Sequence, residues 1–209
     1  PRSTKRSPVK ANLASRPDPA QSSPRPCQVE QPVCGVREKA LVAASPEFDE
    51  AMRGKKGKFQ EAVMLVGPEG IGAMYWYASC LGKWAKRTSF PVLLGQKDNI
   101  KATMTHVLEL DETFYHGGPH RYFGAYYSIA PGFAGGDTTK SDQEFTASLE
   151  ISPYFLGTKV LKAEHYAVKM DDEDLFKSLL ADVLAANPEE VAASFTHETR
   201  EVPRATTRF

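Results

Sequence analysis

The chain has 209 residues, and its 26 Lys and Arg side chains balance 26 Asp and Glu. Zero net charge removes any general electrostatic pull toward nucleic acid or an anionic membrane, so no specific nucleic-acid partner is expected. Three cysteines, Cys27, Cys34 and Cys80, form an odd set without CxxC spacing, which excludes a zinc signature and a secreted disulfide framework and fits a reducing compartment.

Residues 1–46 hold eight of the fifteen prolines, and Leu13 is the only Leu, Ile, Met, Phe, Trp or Tyr before Leu41. A segment so poor in apolar surface does not offset the entropy of its own ordering. Residues 1–45 are therefore expected to be an extended arm that orders on neighbouring subunits. Its first 17 residues carry Arg2, Lys5, Arg6, Lys10 and Arg16 and no acid, which suits an acidic protein surface, RNA, microtubules or lipid headgroups as well as plain solvation. Within it Ser7-Pro8-Val9-Lys10 resembles a proline-directed phosphorylation site. The acid-free, Arg- and Ser-bearing start also resembles the composition of organelle transit peptides, although Pro8, Pro17 and Pro19 would break the amphipathic helix of a mitochondrial presequence.

A compact domain is expected over residues 46–197, followed by a tail at 198–209. Ser45-Pro46-Glu47-Phe48 has the cap and first-turn proline of a helix start, running to about Met52. Arg53 to Lys58 reads as a Gly/Lys-rich connector. The apolar stretch 62–82 has the length of a membrane span and flanking Lys and aromatics. Its five large aliphatics offer about 2–3 kcal/mol of insertion energy, and Glu69 costs about as much. Pro68 and the neighbouring glycines weigh further against a span, and membrane contact through 62–82 remains a secondary expectation. As a soluble element, Ala62–Val66 reads as a strand, Gly67–Gly70 as a turn and Ile71–Arg87 as a helix. That helix carries Ile71, Met74, Tyr75, Ala78, Leu81 and Ala85 on one face.

Phe90–Leu94 is a short apolar run bounded by Gly95. Met104–Leu110, Tyr122–Ile129, Phe145–Ile151 and Lys159–Met170 then read as four strands of an antiparallel meander, the clearest being Phe145, Ala147, Leu149 and Ile151 in two-residue alternation. Asp171–Asp174 opens a helix with the stripe Leu175, Phe176, Leu179, Leu180, Val183 and Leu184, and Asn187-Pro188-Glu189-Glu190 starts another to about His197. No internal repeat is visible. The expected fold class is α+β: a strand-turn-helix unit, a four-stranded meander and two C-terminal helices behind the extended arm.

Candidate sites are sparse. Val63–Met74 resembles a phosphate-binding P-loop, with Gly67 and Gly72 at the spacing of its two glycines. The family's Lys is replaced by Ala73 and its Ser or Thr by Met74, and Glu69 would sit in the anion cradle. His116 and His120 are four residues apart, the spacing of a helical zinc pair, but Gly117-Gly118-Pro119 opposes that helix. His106, His165, Glu109, Asp111 or Glu164 would have to complete such a site. Tyr115, Tyr122, Phe123, Tyr126 and Tyr127, with Arg121 among them, suit a protein interface or the core face of a sheet. The acidic run 171–174 lacks the alternating ligands and Gly of a calcium loop. Cys80 lies in an apolar helical stripe, and there is no Gly-x-Ser-x-Gly elbow.

No catalytic, cofactor-binding or metal-binding residue is assigned, and no cofactor is expected. The leading expectation is a non-catalytic accessory subunit of a large complex. It is placed in a mitochondrial membrane complex of respiratory-chain or ATP-synthase type, associated with the inner membrane, with a plastid complex as the alternative. Its partners would be protein subunits reached through residues 1–46 and the C-terminal tail. The rival readings are a degenerate P-loop or metal-binding protein, and a microtubule- or RNA-associated module.

Overall fold

A computed structural model describes residues 39–53 and 58–191. Among these, every regular element is a helix. Residues 39–44 form α1. Pro46–Arg53 forms α2, Phe59–Ala62 the short α3, Ile71–Thr88 α4, Phe90–Leu110 α5, Phe114–Ile129 α6 and Thr138–Ile151 α7. Leu156–Leu161, a π-helical Lys162–Ala167 and Val168–Met170 run on as α8, and Glu173–Ala185 forms α9. The expected α+β class, with its strand at Ala62–Val66 and its four-stranded meander, is thereby overturned. The basic arm residues, Cys27, Cys34, the Ser7–Lys10 motif, the centre of the connector and the 198–209 tail all lie outside the described residues, as does the end of the last helix.

The reason for the error lies in which residues face inward. The buried side of α7 is Ser141, Phe145, Ser148 and Ser152, a helical spacing of four, three and four. Its serines are hidden because their hydroxyls are paired: Ser141 Oγ donates to the Gly124 carbonyl at 2.7 Å, and Ser148 Oγ meets Thr158 Oγ1 at 3.2 Å. An apolar count skips these positions and finds the accidental alternation of Phe145, Ala147, Leu149 and Ile151. In α5 the inward set is Ile100, Thr103, Met104 and Val107, where again a polar residue interrupts the stripe. Residues 62–66 close α3 and make a 3-10 turn at Val63–Leu65.

Helix starts follow local chemistry, as expected at three places. Ser45 Oγ accepts from the Phe48 amide at 3.1 Å, Asp172 Oδ1 from Leu175 at 2.8 Å, and Asn187 Oδ1 from Glu189 at 3.0 Å. Helix α4 also matches expectation, and Ile71, Met74, Tyr75, Ala78, Leu81 and Ala85 are all buried. Residues 39–44, counted with the arm above, are helical, and Leu41 is fully buried in the core.

Short connections fold the chain into helical hairpins. Ser89 alone separates α4 from α5, residues 130–137 join α6 to α7, and residues 171–172 join α8 to α9. The hairpins stack through α5 on α6 and α6 on α8. The architecture therefore repeats a helix pair side by side, as solenoids do, although no repeat is visible in the sequence. The main core joins Leu41, Phe48 and Val63 to the inner faces of α4 and α5 and to Phe123. Among the described residues no helix is long and apolar enough to cross a membrane.

Candidate functional site

Among the described residues, the most unusual backbone lies at the start of α6. Tyr115 (φ 48°, ψ 51°), His116 (φ 61°, ψ 50°) and Gly117 (φ 66°, ψ 33°) form a left-handed turn before the right-handed helix resumes. Glycine tolerates this region, but Tyr and His pay about 1–3 kcal/mol each, and such strain persists only where surrounding structure imposes it. Here the imposing group is Arg121, whose residue is only 4% exposed. Its Nη1 donates to the His116 carbonyl at 2.9 Å and its Nη2 to the Tyr115 carbonyl at 3.0 Å, so one guanidinium holds both strained peptides.

Arg121 gathers further partners from three elements. Nη1 also donates to Thr158 Oγ1 of α8 at 3.2 Å, and Nη2 reaches Tyr75 Oη of α4 at 3.5 Å. The guanidinium lies 4.1 Å from the centre of the Phe155 ring and 5.6 Å from that of Tyr115. Burial pushes the Tyr75 hydroxyl pKa up, and the charge of Arg121 partly opposes this, so Tyr75 stays a neutral phenol.

An aromatic surface grows from this clamp. Tyr115 meets Trp76 edge-on at 4.9 Å and Phe155 at 5.7 Å, while the His116 ring stacks on Phe155 at 5.1 Å and 17°. Tyr115 is 41% exposed, and Tyr154, beside Phe155 in the chain, is 55% exposed. The result is a fixed, partly open aromatic patch above a buried cation. Arg121 and Tyr115 are evident in the sequence as members of an aromatic segment. Trp76 and Phe155 enter from α4 and from the loop before α8, and only the dipeptides Tyr75-Trp76 and Tyr154-Phe155 signal them.

The other candidates go elsewhere. His116 and His120 face different partners: His116 Nδ1 lies 3.5 Å from Ser152 Oγ, while His120 Nδ1 donates to Glu144 at 2.7 Å. His106 donates from Nε2 to the Val66 carbonyl at 2.8 Å, and its Nδ1, without a hydrogen-bond partner, lies 3.8 Å from Glu109. Among the described residues no cluster of three or more His, Cys, Asp or Glu is arranged to hold a metal. The P-loop likeness loses its strand, since Gly67 caps a 3-10 turn at Pro68–Gly70, and the Glu69 carboxylate folds back against Gly67. In the aromatic segment Phe123 is core, and Tyr126 ties its hydroxyl to the Ala134 carbonyl at 2.8 Å. Cys80 is half-buried beside the α4 stripe.

The sequence model of one protein family, described as TRAP transporter T-component, matches residues 35–194. No curated protein matches the chain.

Proposed function

Because the chain belongs to the TRAP transporter T-component family, we propose that it serves such a transporter as a non-catalytic, protein-binding component whose contact surface is the aromatic patch around Tyr115. The family assignment overturns the mitochondrial reading. A component of a bacterial transport system is neither a respiratory-chain nor an ATP-synthase subunit, and the mitochondrial inner-membrane and plastid locations fall with it. The transit-peptide likeness was compositional, and an acid-free basic start is not peculiar to organelles. The partner class survives: as one component of a transporter, the protein works beside other protein subunits.

The observation that carries the reading is the Arg121 clamp on the left-handed turn. Strain borne in the free protein means that Tyr115, Trp76 and Phe155 need little further ordering on binding, and preorganised aromatics are what dominate interface energies. Tyr115→Ala in the full chain is expected to weaken binding to the purified remaining subunits of the same transporter by about tenfold or more, with helical content unchanged. Isothermal titration of wild type and variant makes the measurement. Equal affinities would remove the patch from the interface.

A further inference from the structure

The turn between α4 and α5 forms a second surface with a different chemistry. Residues 70–97 contain no Asp or Glu but carry Lys83, Lys86, Arg87 and Lys97, a one-sided stretch in a chain whose charges balance as a whole. Lys83, Lys86 and Arg87 are all exposed on the last turns of α4. Lys83 and Lys86 make no ion pair with another described residue, whereas Lys97 lies 3.0 Å from Asp98. One carboxylate, that of Glu164 on α8, stands at the edge of this face, beside the His165 ring that also feels the charge of Lys86.

The apolar half of the surface belongs to α5. Phe90, Pro91, Leu94 and Gly95 are exposed at helical spacing, on the side of α5 opposite the buried Ile100, Thr103 and Val107. Phe90 is 54% and Leu94 41% exposed. The turn that presents them is fixed, since the Ser89 amide donates to the Ala85 carbonyl at 3.3 Å and the Ser89 carbonyl accepts from the Leu93 amide at 3.0 Å. Residues 86–91 are exposed without interruption, so the turn stands out from the helices and a flat surface can reach it. Outward apolar side chains beside unpaired lysines suit the boundary of a lipid bilayer, where the first enter the acyl margin and the second meet phosphate oxygens. A nucleic acid would engage the cations and leave Phe90, Pro91 and Leu94 uncovered.

We propose that the α4–α5 turn docks on an anionic lipid bilayer, with Phe90 and Leu94 entering the boundary between headgroups and acyl chains and Lys83, Lys86 and Arg87 meeting lipid phosphates. The contact is independent of the aromatic patch, because Trp76 precedes Arg87 by about 16 Å along α4 and both surfaces can be occupied together. Flotation of the full chain with phosphatidylcholine vesicles containing about 30% phosphatidylglycerol is expected to show binding about tenfold or more tighter than to phosphatidylcholine alone, weakening as salt is raised. Replacing both Lys83→Gln and Lys86→Gln should lower this binding by about tenfold, and Phe90→Ser by several-fold, with helical content unchanged because these side chains are exposed. The basic residues of 1–17 are intact in both variants, so wild-type binding by either one assigns the attraction to another surface and overturns the proposal. Failure of the wild-type chain to prefer the charged vesicles overturns it equally.

Discussion

His120 joins α6 to α7 through a proton. Its Nδ1 donates to Glu144 Oε2 at 2.7 Å, and Glu112 Oε2 lies 3.7 Å from the other ring nitrogen. The Glu144 hydrogen bond raises the imidazole pKa above its usual 6.5, against the opposing effect of burial. A folded-state pKa above the unfolded one means that the pair contributes its full stability below about pH 6.5 and loses it as pH rises through the raised value. His165 acts in the opposite sense. Burial lowers its pKa, so its contribution is present above about pH 6.5 and is lost as pH falls through the lowered value. The two partly cancel in the wild-type profile, and a variant separates them. His120→Gln is expected to be less stable than wild type by about 1 kcal/mol at acidic pH, a figure that allows for partial solvent screening. The deficit should shrink as pH rises above about 6.5, as urea unfolding at a series of pH values would show. A deficit independent of pH would assign His120 to packing alone.

Helix pairs in this molecule approach closely because small residues line their contacts, and glycine has opposite effects at two helical positions. A Cβ on Gly124 of α6 would lie 2.7–2.9 Å from the ring atoms of Phe145 on α7, and Phe145 is fully buried. Gly124→Ala is therefore expected to cost about 1–3 kcal/mol of overpacking, more than its gain in helix propensity. A Cβ on Gly95 of α5 meets nothing within 4 Å, so Gly95→Ala should stabilise by up to about 1 kcal/mol. Thermal unfolding of the two variants tests this opposition, and destabilisation by both would refute the open space assigned to Gly95. The same small contacts decide what the sequence discloses. Helix α4 is legible because its inward face carries large aliphatic and aromatic residues at helical spacing, and α9 because its sequence carries an apolar stripe at that spacing, whether or not the stripe is covered. Helices α5, α7 and α8 are not, because Thr103, Ser141, Ser148, Thr158 and Lys162 occupy buried positions and a hydrophobic count treats them as surface. Lys162 is tolerated there because its ammonium reaches Asp142 of α7 at 2.8 Å. The candidate site was half legible for a related reason. Arg121 and Tyr115 stand in one aromatic segment, whereas the left-handed turn leaves little trace beyond Gly117 and depends on hydrogen bonds from a side chain several residues later.

Across the whole molecule, hairpins that touch mainly their neighbours distribute stability unevenly. The α4–α5 pair shares the main core with Phe48 and Val63, and α6–α7 is locked by Phe145 and its buried hydroxyls. The last pair is lighter. Alanines, Ala163 and Ala167, supply the fully buried apolar positions of α8, and in α9 Leu179 alone is buried while Leu184 is 87% exposed. The apolar stripe that made α9 recognisable is thus only partly used among the described residues. Unfolding in such an array is governed by interfaces between neighbours rather than by one central core, so its units need not open together. Hydrogen exchange under native conditions is accordingly expected to show the strongest protection in α4 to α7 and the weakest in α9, with α8 between them. If α9 amides exchanged only by the same global opening as α5, the hairpins would form one cooperative unit, and the stacked architecture would have no thermodynamic counterpart.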